Sequence, residues 1–310
     1  MIAIMRIAAL ITAAGLSSRA GDFKPMMKLG AISIIHRLIL TLRRAGCSPI
    51  VLITGHQAKL LENHVRDMGV ICLRNDDYSQ SEMFDSVKIG LEYLQGKCDS
   101  LLFTPVDVPL FTVNTIHCLI STEAEFAVPV CGGESGHPLL INEGRISDIL
   151  SYDGRGGLNR CIEELGGKSL VEVGDPGTLW DVDTPMDYKA ILRPHNQQML
   201  RPVAVVQLAK ERPFFGPALA LLLSIISECG CVQTACKMIN MSYSKGWSTI
   251  NEAEKQLGFL LIQRQQGGKG GGGSCLTQEG EYMLRRFNEF EAEFTSAADK
   301  LFEKHFPDLG

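Results

Sequence analysis

The sequence lacks an uninterrupted apolar run of the ~18–20 residues needed to cross a bilayer, so no membrane span is expected. Its opening, MIAIMRIAALITAAG, runs without a polar break into Arg19 and Lys24, which argues against a cleaved secretion signal. A cytoplasmic protein is the expectation. Strong charge of either sign is also missing. The net charge over 310 residues is −5, so bulk attraction to nucleic acid is not indicated and any such contact must come from a local patch. Zinc-type spacing is absent as well. Of ten cysteines, Cys229, Cys231 and Cys236 cluster without a CxxC pattern or a nearby histidine. The scattered Cys47, Cys72, Cys98, Cys118 and Cys161 read as small buried hydrophobes. What remains is 45% hydrophobic and 21% charged, the balance of a soluble globular chain long enough for two or three domains.

One stretch organises the first of these. Residues 7–24, IAALITAAGLSSRAGDFK, begin as an apolar strand and stop abruptly in Ala13, Ala14 and Gly15. Neither the Gly-Lys-Ser/Thr of a P-loop nor GxGxxG is present. A buried strand ending in small residues still lets backbone N–H groups approach a phosphate. Ser17 lies in the loop that follows. Arg19 and Lys24 add two cations where charge would build on a leaving pyrophosphate.

Further along, helical periodicity over 33–45, 58–67 and 83–94 alternates with apolar strands at 49–54, 70–73 and 100–104. That alternation predicts an α/β fold, a Rossmann-like, mostly parallel sheet with helices on both faces. Ligands of such sheets lie at the carboxyl ends of the strands. Asp107, in FTPVDVP, follows a strand and is placed to hold Mg²⁺, unless it merely caps the helix starting near Thr112. WDVDTPMD, at 180–187, is expected to close a strand and open a helix; Asp181 or Asp183 is then a second metal carboxylate, or Asp183 an N-cap.

The AAGxSSRxGxxK loop resembles the nucleotidyltransferases that attach a nucleoside monophosphate to molybdopterin. The resemblance covers about 7–192, with its motifs in family order. It implies that Asp107 is a metal ligand and that 75–87, NDDYSQSEMFDSV, holds nucleobase and ribose, with Ser86 at a recurrent polar position. Ser81 stands where the family usually has glycine. Gly136-His137-Pro138 resembles the family's turn beside the acceptor, although His137 reads equally well as a turn residue. Gly154-Arg155-Gly156-Gly157 is either an anion site or a plain glycine turn. The implied reaction is Mg²⁺-dependent transfer from CTP or GTP to molybdopterin or molybdenum cofactor. The TAAG form of the loop looks more like the cytidylyl branch. Sugar-phosphate nucleotidyltransferases share this chemistry, and a spent enzyme retained as a nucleotide sensor is the non-catalytic alternative.

RPHNQQMLRP, 193–202, reads as a linker between a domain at 1–192 and another at 203–310. In the second, short helix 232–239, the turn 240–242 with Ser242 as N-cap, and longer helix 243–257 give the helix-turn-helix layout. Strands at 259–265 and up to Leu276 flank a glycine-rich tip, the pattern of a β-hairpin wing. SYSKGW, INEAEKQLG and GGKGGGGSCLTQEG closely resemble the winged helix-turn-helix of ModE-like molybdate-responsive regulators, across about 214–294. The regulators' molybdate-binding modules have no counterpart in this sequence.

Lys245, Ser248 and Asn251 fall near the start of the recognition helix, where double-stranded DNA is read, while Arg264 and Lys269 would meet phosphates. Lys255 adds to this charge, and Glu252 and Glu254 offset part of it. A long C-terminal helix from Thr277 carries Met283, Phe287, Phe290, Phe294, Ala297 and Leu301 at alternating steps of four and three. That heptad seam packs either within the domain or, as the regulator resemblance implies, in a homodimer.

Overall fold

The computed structural model describes residues 5–15, 23–181, 191, 195, 202, 205–264 and 273–306. The chain divides into two compact units, Met1–Met199 and Leu200–Gly310.

The first unit is built on β1 (Ile7–Ala13), which is buried along its whole length. Parallel partners flank it on both sides: β4 (Ile50–Thr54) on one, then β5 (Ile71–Arg74), and β6 (Ser100–Pro105) on the other. The short β2 (Lys28–Leu29) and β3 (Ile32–Ser33) form a separate ladder. Beyond β6 come the antiparallel β9 (Leu139–Asn142), then β7 (Phe126–Cys131), which pairs with β8 (Glu134–Ser135) and, in parallel, with β10 (Ser169–Glu172).

Alternation along β1 sorts the helices. Ile7, Ala9, Ile11 and Ala13 join a core with residues of α1 (Ile34–Arg44) and α4 (Val113–Ile120). Leu10 faces the other way, toward α3 (Met83–Leu94). A Cβ on Gly90 of α3 would stand 2.2 Å from the Leu10 Cδ1 atom, so glycine lets that helix press against the sheet. The helix expected over 58–67 divides into α2 (Ala58–His64) and a 3₁₀ turn, Arg66–Met68, stopped by Gly69 at φ +56°. α5 (Ile146–Ser151) and α6 (Gly157–Glu164) pack beside α3.

The 180–187 segment departs from expectation. The last strand ends at Glu172, and a 3₁₀ turn, Pro176–Thr178, intervenes before Trp180. The buried Asp175 explains the detour, since its carboxylate accepts from Gly177 N at 3.0 Å, Thr112 N at 2.7 Å and Thr115 Oγ1 at 2.5 Å. Residues 182–190, with the helix expected there, lie outside the described residues.

In the second unit, α7 (Pro217–Cys229), α8 (Val232–Met238), α9 (Tyr243–Leu257) and α10 (Gln278–His305) surround a core including Leu222, Leu223, Ile226, Ile250 and Phe287. Ser242 caps α9, accepting from Lys245 N at 3.3 Å, and Thr277 caps α10. The wing strands pair antiparallel as β13 (Ile262–Arg264) with β14 (Ser274–Leu276). β13 starts later than expected, and at its entry the N–H groups of Leu261 and Ile262 are taken by the Glu254 carboxylate. A second hairpin, β11 (Leu208–Ala209) with β12 (Pro213–Phe215), was not anticipated; it is anchored by the Phe215 ring, 5.0 Å from that of Phe287. No helix among the described residues is long and apolar enough to cross a membrane.

Candidate functional site

The strand order places a switch point at β1, with its successors on opposite sides, and the crevice above the carboxyl ends of β1, β4 and β6 is where ligands of such sheets bind. Register locks the three ends together. Ala13 pairs with Thr54 and Thr12 with Pro105, while Val106 N donates to Thr12 O at 3.1 Å. Ala13 and Ala14 are buried and Gly15 is exposed at the turn. Ser17 and Arg19 lie outside the described residues. Lys24 opens a 3₁₀ turn and is buried, at 8% exposure. Asp107 is half-buried just past β6, so β1 and β6 bring the small-residue turn and this carboxylate to one end of the sheet. Asp181 is exposed, and Asp183 lies outside the described residues.

Two neighbours of this crevice were missed by the sequence reading. Gly55 follows β4, and a Cβ there would stand 2.7 Å from Ala14 O and from Tyr78 Cβ. His56 N then donates to Ala14 O at 3.0 Å. The His56 ring lies between Phe23, at 5.9 Å, and Tyr78, at 6.0 Å. An apolar strand stopping at glycine is the signal the sequence offers for it.

The second is Asn75, the buried hub of the 75–87 segment. Its Nδ2 donates to Ser81 Oγ at 2.8 Å and to Ser86 Oγ at 2.9 Å, while its Oδ1 accepts from Asp77 N at 3.1 Å. Ser86 is thus buried and already bonded within the protein. Ser81, in the place of a family glycine, is absorbed into the same network. Beside it, Arg74 holds Glu62 with two bonds of 2.7 Å and keeps that carboxylate below its usual range.

Gly136 and His137 sit against the turn after Asp175. His137 N donates to Thr178 O at 2.9 Å, and a Cβ on Gly136 would stand 2.3 Å from that same oxygen. The His137 ring meets Phe103 edge-on at 6.0 Å. Burial, with Lys168 adding to it, pushes its pKa down to about 4, so the ring is neutral near pH 7. Its buried Nδ1 atom has no hydrogen-bond partner among the described residues. Gly154 and Gly156 adopt positive φ ahead of α6, as does Gly157, its first residue, which makes this a glycine turn whatever else it does.

On the second unit, Lys245, Ser248, Asn251 and Lys255 are exposed at steps of three, three and four along α9, opposite the buried Gly246, Ile250 and Ala253. The offsetting acids are engaged within the protein: Glu252 with Arg212 at 2.8 Å and Glu254 with the wing backbone. Arg264 lies in β13; Lys269 is outside the described residues. Along α10, Phe287 is buried, whereas Phe290, Phe294 and Leu301 are 47%, 45% and 56% exposed.

Comparison with known proteins follows the same division. The chain is 28% identical over 181 residues to a molybdenum cofactor cytidylyltransferase of Escherichia coli (strain K12), covering 58% of this chain and 92% of that one. It is 31% identical over 98 residues to the transcriptional regulator ModE of Yersinia pestis, covering 32% of this chain and 37% of the regulator. Among solved structures, a nucleotidyl transferase from Methanothermobacter thermautotroptrophicus aligns with 61% of this chain and 96% of its own, at TM-score 0.54 and 23% identity, a likeness of fold. The family described as MobA-like NTP transferase domain matches residues 9–170, more than half of the 310, and the chain belongs to that family, joined to a region homologous to ModE regulators.

Proposed function

We propose that the first unit transfers a nucleoside monophosphate, CMP in preference to GMP, from the NTP to molybdopterin or its metal-loaded form, releasing pyrophosphate. The observation that carries this reading is the convergence of the Ala13–Ala14–Gly15 turn and Asp107 at one end of β1 and β6. Lys24 and Arg19 are the cations for the triphosphate, with Ser17 and the small-residue turn approaching its oxygens. Asp107, with Asp181 or Asp183, is the carboxylate set for Mg²⁺. That donor set fits a hard cation, which is bound through one or two carboxylates plus substrate phosphates and waters. The described residues contain no group of three or more His, Cys, Asp or Glu able to cage a metal by themselves. Bound there, Mg²⁺ would neutralise charge developing on the phosphates.

An acceptor phosphate is already ionised, so the protein needs no general base and acts by positioning and charge stabilisation. Ser86, tied to Asn75, shapes the nucleobase side. Gly136 and the neutral His137, whose Nδ1 has no partner among the described residues, form the acceptor side. The second unit binds double-stranded DNA through Lys245, Ser248, Asn251, Arg264 and Lys269, as a homodimer closed over the exposed half of the α10 seam. The joined reading is a cytoplasmic enzyme that also regulates molybdenum-related genes.

The test is product analysis with CTP or GTP, Mg²⁺ and molybdopterin. Formation of the CMP adduct with stoichiometric pyrophosphate supports the reading. Transfer only to sugar phosphates, or nucleotide binding without turnover, overturns it.

A further inference from the structure

Both hairpins of the second unit lean on α9, and they do so from opposite flanks. Glu254 accepts from the backbone of Leu261 and Ile262 at 2.8 and 3.2 Å, at the entry to the wing. Glu252 precedes it by two residues, a step that carries a helical side chain to the other side. It accepts from Arg212 Nε at 3.0 Å and lies 2.8 Å from Arg212 Nη2. Lys210 donates to the carbonyl of Gln256, one turn further along. Lys210 and Arg212 both belong to the turn between β11 and β12.

That turn is held in place from behind, where Val206 and Phe215 are buried. Its two cations, although each bonds α9, stay accessible to solvent: Lys210 is exposed and the Arg212 side chain is 64% exposed. Seven residues separate Lys245 from Glu252, almost two full turns, so Lys245 rides on the hairpin's flank. Asn251, three residues before Glu254, rides nearer the wing's. The exposed face of α9 therefore runs between two β-hairpins, the wing on one side and residues 208–215 on the other.

We infer that the β11–β12 turn is a second DNA-backbone contact, with Lys210 and Arg212 meeting phosphates across the groove from the wing. The assignment rests on the DNA-binding reading above and adds a site to it. Arg212 has two tasks in this arrangement: it cancels the Glu252 charge, which would otherwise repel phosphate, and its guanidinium, five N–H donors in all, has more donors than the two nitrogens on Glu252 use. Glu211, between the two cations, carries the opposite sign, so the side chains are tested one at a time.

The experiment measures Kd of the full chain for a mixed-sequence DNA duplex across a salt series. Each phosphate contact contributes about 0.9 to the slope of log K against log salt. Lys210→Gln and Arg212→Gln are each expected to flatten that slope by about this amount and to weaken binding several-fold on any sequence. Arg212→Lys keeps the charge and restores the slope, while Glu252→Gln tightens binding. Lys210→Gln is the decisive variant, because it breaks only a bond to a backbone oxygen and leaves Glu252 paired. If Lys210→Gln and Arg212→Gln keep the parent's slope and Kd while Lys245→Gln loses both, the hairpin assignment is overturned and the DNA reading stands. A parent chain with no salt-dependent binding overturns both.

Discussion

The two units place their candidate groups differently. In the first, candidate groups stand in loops whose path is dictated by a buried sheet, and close contacts at Gly55, Gly90 and Gly136 leave no room for a Cβ. In the second, Lys245, Ser248 and Asn251 project from the outer face of a helix whose inner face does the packing. A site of the first kind couples chemistry to frame, so substitutions behind it should impair it. One of the second kind behaves as a set of separate charges and hydrogen-bonding groups, whose losses add.

The largest effect should expose that separation directly. Asp107→Asn and Lys24→Ala are each expected to lower nucleotide transfer by about 10²–10³, the usual loss when one stabilising group is removed from developing charge. The salt slope of DNA binding should stay at the parental value in both. Steady-state pyrophosphate release and the DNA titration, run on the same preparations, check this. Near-normal transfer in either variant breaks the assignment of these residues.

A pair of glycines sharpens the contrast. A Cβ at Gly55 meets backbone, Ala14 O at 2.7 Å, so Gly55→Ala must displace the turn after β1. Overpacking of this sort costs about 1–3 kcal/mol, and transfer should fall along with Tm. Gly246 lies inside α9, where a Cβ would stand 2.4 Å from Cys236 Sγ, a side-chain atom rather than backbone. Alanine also gains about 1 kcal/mol of helix propensity there. Gly246→Ala should therefore shift Tm less, and a larger loss than that of Gly55→Ala would contradict the account.

How much of this was legible beforehand follows the same line. Helices 83–94 and 243–257 were readable to the residue because apolar spacing and end signals agree, and tertiary packing reinforces both. The run of 180–187 was misread as closing a strand, because Asp175 draws the chain into a turn through bonds to Thr112 and Thr115, some sixty residues away. The β11–β12 hairpin was missed because its strands have two and three residues, too few for an alternation pattern, and Phe215 is held by a partner far along the chain. At the candidate active site the small-residue turn and Asp107 stood out by chemistry. Asn75 and Gly55 did not, since one acts through Ser81 and Ser86 and the other through the side chain it lacks.

Acid should divide the units next. The buried His137 titrates near 4 in the fold against an ordinary 6.5, so between those values the unfolded chain binds a proton that the fold refuses. Its contribution is complete above 6.5 and is lost progressively as pH falls toward 4. His64, lowered by burial and by the stacked His36 ring, and His195, lowered by burial and Arg37, act with the same sign. The second unit has one histidine, His305, exposed near the end of α10. Calorimetry from about pH 7 to about pH 5 should show the first unit's transition falling more than the second's. His137→Asn should flatten that dependence.

The smallest difference is the finest test, because it uses the same residue in the same role. Ser33 caps α1 and Ser242 caps α9, each accepting from the N–H three residues on at 3.3 Å. Alone, a lost serine cap costs about 1 kcal/mol, and that is the expectation for Ser242→Ala, whose hydroxyl is exposed. Ser33 is 3% exposed, and its Oγ also lies 2.8 Å from His64 Nε2, whose ring stacks on His36 at 4.2 Å. The His36 Nε2 atom in turn bonds the His64 carbonyl at 3.1 Å; a carbonyl only accepts, so that nitrogen carries the proton. Ser33→Ala thus removes a cap and takes a partner from the partly buried His64 ring nitrogen, for which a further penalty of up to about 1 kcal/mol is expected. Urea melts that separate the two units should give Ser33→Ala the greater loss. Equal losses would mean that the His36–His64 stack does not depend on the cap, and that the first unit's frame is less tightly coupled than its buried serine implies.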